Sequence, residues 1–395
     1  MASRLPLVEE LSPVPDILES LQAVRHLPRP LLFESVLQRE HVGRYSFLTA
    51  DPCFETIVIR VVNGTNPLAE IQKHLSRHAA PTIPGLPPFQ GGLAGLMGYG
   101  AGHIWERLPR PRYDEFQIPD VAVGLYDWVL AWDHVEKRAW LISQGFPQQD
   151  DLSRIRRAAG RIQQIRDLLA TPSKPGAAAP WKPHACDLSL QELAPQFPIS
   201  NSTNVCSNFS RAAYLAAVQT AIDYIYAGDI FQVNLSQRLI SPLQDDPLEL
   251  YARLRARNPA PFAGYFEHPD WVVASASPER FICSADGDVE TRPIKGTRKR
   301  QSIPEADLFT QDELRESEKD HSENVMIVDL LRNDLSKVCQ PGSIRVPELC
   351  AVESYETVQH LVSQVVGKLR PNVTGVDLLA ATFPGGSITG APKVR

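Results

Sequence analysis

No Cys-x-x-Cys pair occurs in the 395-residue chain, and its six cysteines (Cys53, Cys186, Cys206, Cys283, Cys339 and Cys350) lie far apart. That spacing argues against a zinc site and against a disulfide framework, and it fits buried thiols in a reducing compartment. Excess positive charge is also lacking. The net charge is −6, whereas nucleic-acid binding rests on Lys and Arg spread over a broad face. No apolar run approaches about 18 residues, and Met1 to Glu10 lacks the charged-then-apolar layout of a signal peptide. The expectation is a cytoplasmic protein with no nucleic-acid or membrane partner. A phosphate loop is missing as well. Pro88 to Gly95 (PFQGGLAG) is glycine-rich but has neither a GKS or GKT ending nor G-x-G-x-x-G spacing. Close backbone packing is the better use of those glycines.

What is present is ordinary globular composition, 43% hydrophobic and 22% charged, with length for a large core or two domains. Strand-like runs occur at Pro30 to Ser35, Arg44 to Leu48, Glu55 to Val62 and Val121 to His134, and read as strands of one sheet. Asp151 to Ala170 has helical periodicity and leads into a Pro/Ala-rich linker, Thr171 to Pro180. An amino-terminal region over residues 1–170, a linker region over 171–204 and a second domain over 205–395 follow from this. After the linker, Ser210 can cap a helix with the stripe Tyr214, Val218, Ala221, Ile222 and Ile225, ended by Gly228. Ile230 to Arg238 then alternates as a half-buried strand does.

The stretch Thr291 to Thr297 (TRPIKGT) places one primary amine, Lys295, where an extended segment turns. Arg292, Arg298, Lys299 and Arg300 crowd positive charge around it, which with burial would disfavour the ammonium and favour a nucleophilic amine. A solvated basic loop reads the same residues without chemistry. Asp286-Gly287 favours a type I′ hairpin turn that pairs Cys283 with Glu290 and brings Glu279 one position from Lys295. Strict alternation would put those two on opposite faces, so a bulge or longer turn is expected, with Pro278 and Pro293 interrupting the ladder. A surface salt bridge is the alternative.

Glu316 to Val338 reads as a helix with Val325, Val328, Leu331 and Leu335 on one side. Asp320 and Glu323, three apart, would meet on its surface. They suit a divalent cation, or else an acidic helix start stabilised by the macrodipole. His360 falls in an alternating segment, where a hydrogen-bonded core histidine is the default. Phe383 to Lys393 (FPGGSITGAPK) is a glycine-rich turn whose amides and hydroxyls could hold a carboxylate.

Four blocks in order, Asp229 to Arg238 (DIFQVNLSQR), Ser277 to Phe281 (SPERF), Glu323 to Asp334 (ENVMIVDLLRND) and Pro384 to Lys393, resemble the chorismate-using enzymes. That family includes anthranilate synthase component I and aminodeoxychorismate synthase component I. The resemblance extends to Phe33-Glu34-Ser35, Arg44 to Phe47 and Tyr126 to Val129. It implies an α/β (α+β) fold with a β-sandwich core of two related halves surrounded by helices. It further implies Lys295 as the nucleophile on chorismate, because lysine at the third position of the PIxGT block is typical of aminodeoxychorismate synthases and alanine of anthranilate synthases. Glu279 matches the acid/base glutamate, Glu323 a Mg2+ ligand and Asp320 its supporting neighbour. Gly296, Thr297, His360 and Thr389 match substrate-binding positions. Ser35, Arg44, Tyr45, Ser46, Phe47, Pro261, Phe262 and Ala263 match the border of an L-tryptophan pocket, with core strand packing as the other reading.

A glutamine amidotransferase subunit is the implied partner and source of ammonia, since no nucleophilic-cysteine amidotransferase block is seen. Family members continue beyond the Gly390 to Lys393 block, so the catalytic domain is expected to be truncated at its carboxy terminus. Two other functions fit the same blocks: an anthranilate synthase component I with an atypical lysine, and a non-catalytic scaffold that binds tryptophan or the amidotransferase.

Overall fold

The structure is a computed structural model that describes residues 6–38, 42–62, 64–171, 193–199, 204–354 and 358–394. The linker expected at Thr171 to Pro180 lies outside the described residues after Thr171. The chain forms two compact units, one from residues 1–104, 110–194 and 242–278, the other from 105–109, 195–241 and 279–395. Residues 242–278 thus return to the first unit, which the linker composition does not signal. Every strand pairing among the described residues is antiparallel. No helix among them is long and apolar enough to cross a membrane.

The first unit is built on a seven-stranded sheet in the order Leu7–Leu11, Arg138–Ser143, Trp128–Asp133, Tyr45–Thr49, Leu31–Glu34, Phe262–Glu267, Val272–Ser277. All six residues of Trp128–Asp133 are buried. Trp128, Leu130 and Trp132 join Leu32, Leu48 and Leu141 in one core cluster, while Val129 and Ala131 join Trp140 and Ile142 in another. Both faces of this strand are therefore covered, as its uninterrupted apolar run requires. The helix Asp151–Ala170 starts where Asp150 accepts from the Ser153 amide at 2.9 Å, and it packs Ile162 and Ile165 into the first cluster. The single sheet expected here is corrected: Phe54–Val58, Gly92–Met97 and Val121–Tyr126 form a separate three-stranded sheet. The run from Val121 to His134 breaks at Asp127, whose fully buried carboxylate pairs with Arg157 at 3.1 Å and Arg161 at 3.4 Å.

In the second unit, the Asp286-Gly287 turn pairs Cys283 with Glu290 as expected. The hairpin arm Asp288–Thr291 then continues as Ile294–Lys299, and both segments run along the same edge of Val358–Lys368. Pro293, which has no N–H to give, sits at the break while its carbonyl accepts from the Ser363 amide at 3.2 Å. On the other edge of Val358–Lys368 lies Arg345–Ser354. The helix Glu318–Ser336, capped by Ser317, packs on this sheet through Val328 and Leu335, which join Val289, Val338 and Val365 in the core.

Three local expectations are corrected. Val325, placed on the apolar side of that helix, is 47% exposed, and Asn324 is buried instead. The helix Arg211–Tyr226 begins at Ser210 as expected, but none of its residues is buried. Of Ile230 to Arg238, only Gln232–Val233 is ladder-paired, with Gly390–Ala391, and Phe231 and Val233 stay exposed. An alternating pattern needs a partner strand of its own length to become a half-buried strand, and the terminal segment supplies two residues.

Leu335 is fully buried in the second unit's core. Leu335→Ala should therefore lower unfolding free energy by about 2–5 kcal/mol, read as an earlier urea midpoint with unchanged slope.

Candidate functional site

The strand Ile294–Lys299 carries a bulge. Lys295 pairs with Leu361 and Thr297 with His360, so Gly296 is the extra residue, at φ +72°. The slip expected near Lys295 is present, but it comes from glycine in the left-handed region rather than from the prolines. A side chain at Gly296 would also be blocked: a Cβ there would lie 2.8 Å from Leu314 Cδ1 and 3.0 Å from Asp320 Cβ. Because of the slip, Thr297 Oγ1 and His360 Nδ1 lie 2.8 Å apart, where regular pairing would set Thr297 opposite Gln359. His360 is buried with this partner, as a core histidine is.

Lys295 and Glu279 meet at Ser387. The amine donates to the Ser387 carbonyl at 2.9 Å, and Ser387 Oγ donates to Glu279 Oε2 at 3.3 Å. Burial raises the Glu279 pKa, against lowering by the Ser387 hydroxyl, the charge of Lys295 and the Ile294 backbone amide. The amide of the residue before Lys295 thus reaches the carboxyl, although the ladder expected to bring the two residues one position apart stops at Cys283 opposite Glu290. Thr389, in the same glycine-rich segment, is buried with its hydroxyl donating to the Gly385 carbonyl at 3.1 Å.

The basic residues around Lys295 do not act as the sequence suggested. Arg292 pairs with Glu353 and, at 3.0 Å, with Glu348. Arg298 pairs with Glu313 and Asp320 at 3.0 Å each, and Arg300 with Asp307 at 2.7 Å. Their charge is offset locally, and Lys299 is exposed. Asp320 is itself nearly buried beneath Gly296. Glu323, one turn on, is partly exposed, with Lys319 at 3.7 Å. Among the described residues no group of three or more His, Cys, Asp or Glu side chains could hold a metal ion. Asp320 and Glu323, expected to meet, are each engaged by a cation, Arg298 and Lys319 respectively.

The residues expected to border a tryptophan pocket come together on adjacent strands of the first unit. Leu31–Glu34 lies between Tyr45–Thr49 and Phe262–Glu267. Their hydroxyls are already engaged by protein. The Ser35 amide donates to Ser46 Oγ at 3.0 Å, and Ser35 Oγ donates to the carbonyls of Tyr45 at 2.7 Å and Pro261 at 3.1 Å. Ser46 Oγ lies 2.7 Å from His134 Nε2. Arg44 pairs with Asp133 and lies over the Tyr45 ring, Phe47 meets Phe89 edge-on, Phe262 is half-buried, and Ala263 is buried opposite Glu34.

Sequence reasoning missed Ser387, although it lies in a block the reading quoted. It also missed the buried Asn324 and Asp334 of the helix Glu318–Ser336. Asn324 donates to the Leu361 carbonyl and accepts from Ser363, and Asp334 pairs with Lys337 and Lys393. A polar residue in phase with an apolar stripe was the available signal for both.

Residues 33–395 match the family described as chorismate binding enzyme. The chain belongs to that family. Among its relatives, aminodeoxychorismate synthase component 1 of Klebsiella aerogenes is 40% identical over 308 residues, 78% of this chain and 61% of the relative. The corresponding protein of Salmonella typhimurium is 37% identical over 410 residues, spanning all of this chain and 82% of the relative. Anthranilate synthase component 1 of Neisseria meningitidis serogroup B is 35% identical over 412 residues, 100% of this chain and 79% of the relative. The chain thus spans less than two thirds of the Klebsiella protein's length. A solved anthranilate synthase component I from Streptococcus pneumoniae has a TM-score of 0.69 at 25% identity, covering 91% of this chain and 77% of that one. The chorismate-utilising fold expected from the motif blocks is therefore this chain's fold.

Gly296 is where this family member's site depends on backbone conformation. Gly296→Ala should cost about 1–3 kcal/mol from the left-handed φ and the contact with Leu314 and Asp320. Thermal unfolding checks this, and an unchanged melting temperature would refute the strained bulge.

Proposed function

We propose that the chain is an aminodeoxychorismate synthase component I, converting chorismate and ammonia to 4-amino-4-deoxychorismate for 4-aminobenzoate and folate synthesis. The observation that carries this reading is the meeting of Lys295 and Glu279 at Ser387. An amine and a proton donor held at one residue suit displacement of a hydroxyl by a covalent route. The neutral Lys295 amine forms a bond to C2 of chorismate as the two conjugated ring double bonds shift, to C1=C6 and C4=C5, and the C4–O bond breaks. Glu279 gives its proton to the departing hydroxyl, which leaves as water. Ammonia then bonds at C4 and the C2–N bond to Lys295 breaks, so the enzyme amine is regenerated. Gly296, Thr297, His360 and Thr389 are proposed to border the substrate.

Glu323, supported by Asp320, would hold Mg2+, which when bound would offset negative charge on the substrate. A glutamine amidotransferase subunit would supply the ammonia, as the component 1 designation of the relatives suggests. L-tryptophan is proposed as a ligand near Ser35, Arg44 to Phe47 and Pro261 to Ala263.

Incubation with chorismate, Mg2+ and ammonia should yield aminodeoxychorismate, which a lyase converts to 4-aminobenzoate. Release of fluorescent anthranilate alone would transfer the assignment to the anthranilate synthase reaction. Lys295→Ala should abolish the mass of a substrate adduct on the protein, and an undiminished adduct would remove the covalent step.

The raised Glu279 pKa gives a pH prediction. As the acid, Glu279 must be protonated, so activity should persist above the usual carboxylate range and fall as pH rises through the raised value. Glu279→Gln should lower kcat by roughly 10²-fold or more and abolish that limb.

A further inference from the structure

The turn Gly386–Ile388 contains a side chain that the reaction above leaves without a task. Ser387 faces the proposed acid with its hydroxyl and the proposed nucleophile with its backbone carbonyl, at 3.3 Å and 2.9 Å. The same carbonyl accepts from Asn234 Nδ2 at 3.2 Å, and that amide group also donates to the Thr389 carbonyl at 3.0 Å. Asn234 is fixed in turn, because its own N–H donates to the Thr389 carbonyl at 2.7 Å beside the Gln232–Val233 pairing with Gly390–Ala391. On its other side the turn is pressed against the helix Glu318–Ser336. A Cβ at Gly386 would lie 2.4 Å from Leu330 Cδ2. The Ser387 peptide is thus held from two directions, and its hydroxyl is presented to Glu279 from a fixed base.

We propose that Ser387 is a positioning residue that couples the acid to the amine, orienting the Glu279 carboxyl and stabilising the carboxylate left once its proton has gone to the departing hydroxyl. This deepens the function proposed above and rests on it. The two halves of the coupling are chemically separable. Contact with Lys295 uses the backbone carbonyl, so it survives replacement of the side chain, whereas contact with Glu279 needs the hydroxyl. A hydroxyl donating to a carboxylate favours the ionised form. Removing it leaves burial as the dominant influence on Glu279, which then holds its proton more tightly. The acid becomes a poorer donor at the same distance from the same amine.

The test compares wild-type protein with Ser387→Ala and Ser387→Thr, the second keeping a hydroxyl. With chorismate and ammonia, the alanine variant should lose about tenfold in kcat with little change in KM, and its alkaline limb should move to higher pH. The threonine variant should regain most of both. A second measurement needs no turnover: the Glu279 carboxyl is titrated by 13C NMR, its signal assigned by loss in Glu279→Gln. Its ionisation constant should fall about tenfold in Ser387→Ala, equivalent to the loss of about 1.4 kcal/mol of carboxylate stabilisation, and return in Ser387→Thr. An unchanged titration in the folded alanine variant, or identical titrations in the two variants, would overturn the coupling. If the titration moves as expected while wild-type protein aminates no chorismate, the coupling stands and the functional assignment falls.

Discussion

One residue without a side chain sets the geometry of the candidate site. Gly296 adopts a left-handed φ in the strand Ile294–Lys299 and inserts one position between the Lys295 and Thr297 pairings. The helix Glu318–Ser336 can then approach until Asp320 lies against the glycine itself, with Leu314 of the preceding helix Pro304–Glu316 beside it. Lys295 keeps its place opposite Leu361, Thr297 is handed to His360, and the backbone between them is closed over by helix. Bulges of this kind re-aim side chains at the edge of a ladder, and here the re-aimed residues are those next to the amine.

The helix that fills this space is not apolar on its inward face. Asp320, Asn324 and Asp334 are buried alongside Ile327, Val328, Leu331 and Leu335. Buried polar groups are tolerated when each has a partner. Arg298 serves Asp320, the Leu361 carbonyl and Ser363 serve Asn324, and Lys337 and Lys393 serve Asp334. These contacts tie three separate pieces of sequence to one helix: the Lys295 strand, the His360 strand and the terminal glycine-rich segment. Burial pushes the Lys393 pKa down against the pull of Asp334. The pair therefore adds little to net stability, since an ion pair out of water recovers little beyond its own desolvation.

Much of this was legible in local sequence, and what was not depends on contacts far apart in the chain. The Asp286-Gly287 turn and the helix Asp151–Ala170 follow from turn chemistry and periodicity alone; the helix has the expected bounds, while the hairpin keeps only its inner pairing from Cys283 opposite Glu290, since Val272–Ser277 pairs with Phe262–Glu267 instead. The Glu279 and Lys295 encounter was anticipated for a different reason. The expected ladder between their strands is absent, because the chain after Pro293 continues along Val358–Lys368, and the two residues are brought together by Ser387, about a hundred positions away. No two-residue period can announce a partner at that distance. The single-sheet expectation failed for a related reason: at the break, Asp127 meets Arg157 and Arg161 on a later helix, about thirty positions on. The motif blocks, by contrast, identified the family because they are read as a set.

The arginines beside Lys295 change the electrostatic account of the amine. Two unit charges about 3 Å apart present to a third group little more than a dipole, so paired guanidinium groups exert far less field than bare ones. Arg292, Arg298 and Arg300 are each paired in this way. Charge crowding is therefore not what distinguishes Lys295 from other lysines in a basic run. Its distinction is positional: a carbonyl that takes its hydrogen bond, on the residue whose hydroxyl reaches the acid. The acid, for its part, feels burial more than it feels the amine, and so keeps its proton to higher pH than an exposed glutamate. The role proposed for Glu279 needs a protonated carboxyl when the substrate hydroxyl arrives, and burial favours that form.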